Sequence, residues 1–178
     1  MPRQIALLRG INVGKHRRVG MGPLRELLTE LGYGDVQTHL QSGNVLLTSR
    51  RTGARLERDL ERQIEDGLGV DPLVVVRTRD ELADVVARDP FGREAGDPKR
   101  YLVTFLSAAP DAGVVRGYDD LDIAPERVHF SGREVYSWHP DGLQRSKLAA
   151  ALNDKRLGVT ATNRNWNTVT KLLELADG

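Results

Sequence analysis

Three polar segments carry residue types that bind anions. The first is Arg9-Gly10-Ile11-Asn12-Val13-Gly14-Lys15-His16-Arg17-Arg18. Its glycines and asparagine can turn amide hydrogens outward, and Lys15, Arg17 and Arg18 add positive charge, a combination that holds an anion ahead of a helix. The spacing is a near miss to a P-loop, which needs glycine, four residues, then Gly-Lys-Ser/Thr. Here three residues separate Gly10 from Gly14, and His16 stands where the magnesium-binding hydroxyl belongs. The plain alternative is a solvated basic turn. The second segment is Asn163-Arg164-Asn165-Trp166-Asn167-Thr168, just before a helical pattern. Free N–H groups and the helix dipole favour negative charge there, Arg164 offers paired donors and Trp166 a stacking face. The competing structural reading makes Asn165, Asn167 or Thr168 a helix cap, Trp166 core, and Arg164 the partner of a carboxylate. The third is Gln41-Ser42-Gly43-Asn44, most simply a hairpin turn with glycine at positive φ, but able to bring Ser42 and Asn44 beside the first loop.

Other chemistries find less support. The chain has no cysteine, which removes disulfides, thiol catalysis and Cys-ligated metals. His16, His39, His129 and His139 lack ligand spacing, so no metal and no cofactor are expected. Ser146-Lys147 resembles a Ser–Lys dyad only superficially, because adjacent helical side chains diverge by about 100°. Ser146 reads instead as a helix start and Lys147 as an exposed or anion-facing charge. Paired carboxylates and triads are not evident.

Composition sets the frame. The 178 residues are 39% hydrophobic and 29% charged, enough for a core and a polar exterior. Net charge is +1, too small for a dedicated nucleic-acid binder, so any basic site is local. No apolar run suits a signal peptide or a bilayer span, which predicts a cytoplasmic protein without membrane contact.

The elements that must position these segments follow from periodicity. Gln4–Arg9 is apolar at both parities, as in a central strand. Leu24, Leu27, Leu28 and Leu31 share a helical face, stopped by Gly32 and Gly34. Residues 36–49 read as a hairpin about Ser42-Gly43-Asn44. Leu56, Leu60, Ile64 and Leu68 form a narrow stripe on a charge-dense, solvated helix, and 72–77 is a buried strand. This order is a βαββαβ unit. A capping box at 78–81 starts a short helix, and 90–98 reads as a linker. The order then recurs: strand 101–106, helix 111–121, strands 127–131 and 134–138, helix 143–157 closed by Gly158, strand 159–162, and a C-terminal helix. The expected fold is α+β, with two ferredoxin-like subdomains, 1–90 and 99–178, antiparallel sheets and a terminal helix. Their strands could also bind RNA, but the first half's strands lack aromatics and the second half's Tyr101, Phe105, Phe130, Tyr136 and Trp138 read as core.

Three motifs together resemble an uncharacterised bacterial family, domain of unknown function 1697: Ala6-Leu7-Leu8-Arg9-Gly10-Ile11-Asn12-Val13-Gly14, Gln41-Ser42-Gly43-Asn44-Val45 and Thr162-Asn163-Arg164-Asn165-Trp166-Asn167-Thr168. The resemblance runs from about residue 4 to the terminal helix. Lys15 stands where the family pattern has a second glycine, and Gly20 where it has proline. The resemblance implies a two-part ferredoxin-like fold and no known reaction. The leading expectation is a small anionic, phosphorylated ligand bound between the halves by Arg9, Asn12, Gly14, Lys15, Ser42, Asn44, Lys147, Arg164, Asn165, Trp166 and Asn167. The alternatives are nucleic-acid binding through Lys15, Arg17, Arg18, Arg50 and Arg51, or an enzyme of unspecified reaction.

Overall fold

The computed structural model describes all 178 residues and divides into two units, residues 1–83 with 172–178, and residues 84–171. In the first unit, β1 (Arg3–Arg9) is flanked by β3 (Asn44–Thr48) and β4 (Leu73–Thr78), with β2 (Gly34–His39) outside β3. All neighbours are antiparallel, and the order is β2-β3-β1-β4. The two-sided apolar pattern of β1 has its reason here: every residue from Gln4 to Leu8 is buried, and Ala6 sits between Val45 and Val76. Ala6, Leu8, Val45, Leu47, Val74 and Val76 pack beneath α1 (Met21–Glu30) and α2 (Gly53–Leu68), which contribute Leu24, Leu28, Leu56, Leu60 and Ile64. Gly67 lets α2 approach α1, since a Cβ there would lie 2.7 Å from both methyl carbons of Leu27.

The charge-dense helix α2 is not merely a solvated face. Glu57 and Glu61 accept hydrogen bonds from the amides of Val76 and Val74, each at 2.9 Å. Residues four apart on a helix thus meet residues two apart on a strand, because both spacings span roughly 6 Å. The outer edge of β4 is thereby covered rather than left open for another strand.

In the second unit the sheet order is β6-β7-β5-β8, with β5 (Tyr101–Leu106) central and buried throughout. β6 (Arg127–Ser131) and β7 (Glu134–Trp138) fall where the sequence placed them. β8 is Ala161–Asn165, three residues beyond the expected end, so half of the 163–168 segment is strand. α3 (Arg79–Arg88) enters this unit from the first, and α7 (Trp166–Asp177) leaves it. The expected helix over 111–121 shortens to α4 (Ala112–Arg116), where Gly113 and Gly117 weaken helical propensity. The expected single helix over 143–157 is two short ones, α5 (Lys147–Ala151) and α6 (Asp154–Leu157). Asn153 explains the break: its side chain caps a new start by accepting the Arg156 amide at 2.9 Å. Leu106, Val135, Leu148, Leu152, Leu157 and Ala161 form the core under these pieces.

Candidate functional site

In the first unit, Asn12 joins two of the three polar segments. Its Nδ2 donates to the Val19 carbonyl at 2.9 Å and to the Gln41 carbonyl at 2.7 Å, while its Oδ1 accepts the Val19 amide at 2.8 Å. Its own amide donates to the Arg17 carbonyl at 2.9 Å. Asparagine tolerates the left-handed backbone found there, φ 53°. One side chain therefore closes the 10–19 loop and ties it to the 40–43 turn. The turn is fixed from within: the buried Asn44 donates to the His39 carbonyl at 2.7 Å and to Ser42 Oγ at 3.3 Å. Gly43, at φ 92°, packs directly on the loop, and a Cβ there would lie 2.7 Å from Ile11 Cδ1. The fit requires glycine twice over, for conformation and for space.

Residues 13–18, Gly14 among them, are exposed beyond this clamp. Arg17 pairs with Asp71 at 2.9 Å and reaches back to the Gly10 carbonyl. Lys15, His16 and Arg18 engage no protein group. α1 begins five residues after His16, at Met21, with Gly20 as its N-cap, no side-chain cap, and no acidic residue in its first turn. Arg9 is half-buried at the end of β1, opposite Leu73.

In the second unit the predicted residues separate. Arg164 lies across from Val103 on the sheet face turned away from α5 and α6. It is 8% exposed and donates to Thr162 Oγ1 and the Asn163 carbonyl, both at 2.7 Å. Burial of the guanidinium lowers its pKa to about 10. Asn165 Oδ1 accepts the Thr168 amide at 3.0 Å, as the cap of α7. Trp166 stacks on Tyr101, ring centroids 4.6 Å apart. Asn167 is exposed in the first turn of α7. Lys147 opens α5, on the other face of the sheet.

Beside Lys147 lies a polar cluster that the sequence did not disclose. Fully buried His139 directs Nδ1 at the Glu126 carboxylate and, at 3.0 Å, at Ser146 Oγ; its Nε2 meets Ser137 Oγ at 2.8 Å. Ser146 also donates to Glu126 and accepts the Ala149 amide at 2.8 Å. Ser137, His139 and Glu126 have the connectivity of a catalytic triad, but Ser137 is sealed within the sheet and no substrate can reach it. Ser146 was legible as a helix start; Glu126 and His139, 13 residues apart with no signature spacing, were not.

Two βαββαβ units, with antiparallel sheets and a terminal helix, define an α+β protein of ferredoxin-like type. The profile of DUF1697, a protein of unknown function, matches residues 1–136, and the chain belongs to that family. Among solved structures, the chain is similar to the conserved bacterial protein SP0830 from Streptococcus pneumoniae, at 23% identity, TM-score 0.79 and 98% coverage of each chain. That likeness shows the fold. No curated protein matches the chain. No helix is long and apolar enough to cross a membrane.

Proposed function

We propose that the chain binds a small anionic, phosphorylated ligand on the 13–18 loop of its first unit. Lys15 and Arg18 supply the charge, and the loop amides around Gly14 supply hydrogen bonds. Asn12, Ser42 and Asn44 hold the loop in shape, and Arg9 stands at its base. The observation that carries this reading is a loop clamped from below whose outer cations engage no protein group. A preformed cradle loses less ordering entropy on binding than a floppy one.

Thermal denaturation with inorganic phosphate, sugar phosphates and nucleotides tests it. A ligand at a hundredfold excess over Kd stabilises by about 2.7 kcal/mol, or roughly 5–10 °C for a chain this size. Lys15→Ala with Arg18→Ala should abolish the shift without lowering Tm of the free protein. No shift with any of these anions at millimolar concentration refutes the proposal. A shift produced only by oligonucleotides, steeply weakened by salt, transfers the loop to nucleic-acid binding instead.

A further inference from the structure

A cavity of about 300 Å³ opens beside the Glu126–His139–Ser146 cluster, lined among others by Asp122, Glu126, Asp141, Arg145, Ser146 and Lys147. We infer that it is a binding site for a small zwitterion, whose ammonium donates to Glu126 and whose anionic group meets Lys147 and Arg145. The inference is independent of the loop in the first unit.

Glu126 is the fixed point. Its side chain is 11% exposed, and Oε2 is held by both the His139 ring and the Ser146 hydroxyl. Oε1 takes no protein donor, and Glu126 lines the cavity. A carboxylate with one oxygen locked by a buried imidazole presents the other in a single direction, which is what a directional ammonium contact needs. The imidazole and hydroxyl leave that second oxygen as the only acceptor the pair does not already use.

The rim explains why the ligand carries both charges. Arg145 and Lys147 line the same cavity as Asp122 and Asp141, yet none of the four forms an ion pair. Opposite charges left unneutralised around one cavity are complementary to a molecule that brings both signs. A simple cation would leave Lys147 and Arg145 facing it unfavourably, and a simple anion would meet Glu126 and the two aspartates. The three carboxylates are not placed to share a metal ion.

The test is an NMR titration of the full chain with phosphoethanolamine and with γ-aminobutyrate. Either should shift the amides of residues 122–124, 126 and 141–147, while the amides of residues 13–18 report on the loop, so the two sites are read separately. Ethanolamine, inorganic phosphate and phosphocholine, which lack the anion, the cation and the N–H donor respectively, should each bind about tenfold more weakly or worse, the loss expected of one charge-assisted contact. Glu126→Gln should weaken the zwitterion by at least about tenfold. Should that variant fail to fold, Lys147→Gln and Arg145→Gln keep the inference testable, since both side chains are exposed and engage nothing in the protein. No shifts in the 122–147 region at tens of millimolar overturn it. So does equal binding of ethanolamine or of phosphate alone, or a zwitterion affinity that Lys147→Gln with Arg145→Gln leaves unchanged.

Discussion

The two units share a strand order but stabilise their helical layer by different means. The first uses long helices, 10 residues in α1 and 16 in α2, whose leucines interlock over the sheet. The second replaces the long helix with α5 and α6, of 5 and 4 residues, and inserts the Glu126–His139–Ser146 cluster beneath the first of them. A helix of one turn barely forms without outside help, because nucleation costs more than a few hydrogen bonds return. The second unit supplies that help through polar groups, two of which, Glu126 and Ser146, border its cavity. In the first unit α1 and α2 start without any side-chain cap, and its polar closure is the loop clamped by Asn12.

The sharpest way to break this contrast is to attack each core in its own currency. Leu56→Ala, fully buried in the first unit, should cost about 2–5 kcal/mol in urea denaturation. Glu126→Ala should cost about 3 kcal/mol, since it strands a buried imidazole and a hydroxyl. Only the second loss should depend on a partner: with His139→Phe already present, Glu126→Ala should cost at least about 1 kcal/mol less. Strict additivity would mean that the cluster is not a unit, and the contrast between the halves would fail.

High pH should separate the units next. All four tyrosines have raised pKa values, chiefly through burial, but Tyr33 alone belongs to the first unit. Tyr136, whose hydroxyl donates to the Val85 carbonyl at 2.6 Å, is pushed up to about 12. Tyr101 donates to Asp89 at 2.7 Å and is pushed up further. Above about pH 10 the unfolded chain loses these protons and the folded one keeps them, so stability present below pH 10 is lost as pH rises, by about 1.4 kcal/mol per pH unit for each such tyrosine. Arg164, whose burial lowers its pKa, works the other way, because burial disfavours its charged form in the folded state. With three tyrosines against one arginine, the second unit should lose amide protection first between pH 10 and 12. Hydrogen exchange with tyrosinate absorbance reads this, and simultaneous loss in both units would contradict it.

The same contrast decides what the sequence disclosed. Strand positions and the α1–α2 layer follow from periodicity, because long apolar stripes at spacing 3–4 have one stable outcome. The hairpin turn was legible because Gly43 is confined by its backbone, and Ser146 because a hydroxyl ahead of an apolar run is a cap. The break at Asn153 was not, since a stripe interrupted by a cap still counts as a stripe until the chain is seen to restart. Glu57 and Glu61 looked solvated because nothing in a helix sequence announces a sheet edge beside it. Glu126 and His139 meet only through tertiary packing. Asn12 stands out by its type, but its role as the clip between loop and turn arises only where the chain folds Gln41 and Val19 against it. Asn12→Ala should cost about 1–2 kcal/mol, through three lost hydrogen bonds and a left-handed backbone that alanine disfavours. Loop amides should then exchange faster while the α2 core stays protected; equal loss in both would mean that the loop is not a separate polar device.

The smallest effect lies at the helix starts, and it tests the idea that short helices lean on polar help. Thr52 precedes α2 with extended backbone but its side chain makes no cap bond, and Gly20 before α1 has none to offer. Ser146, Asn153 and Asn165 each accept an amide from the turn they begin. Asn153→Ala should therefore cost about 1 kcal/mol. Thr52→Ala should cost no more than a few tenths, because α2 is held by Leu56, Leu60 and Ile64 whatever its first residue does. Both positions are exposed, so packing does not confuse the comparison. Equal costs at Thr52 and Asn153, measured by urea denaturation of the single variants, would show that length and apolar burial do not relieve a helix of its need for a cap, and that α5 and α6 owe their existence to something other than polar capping.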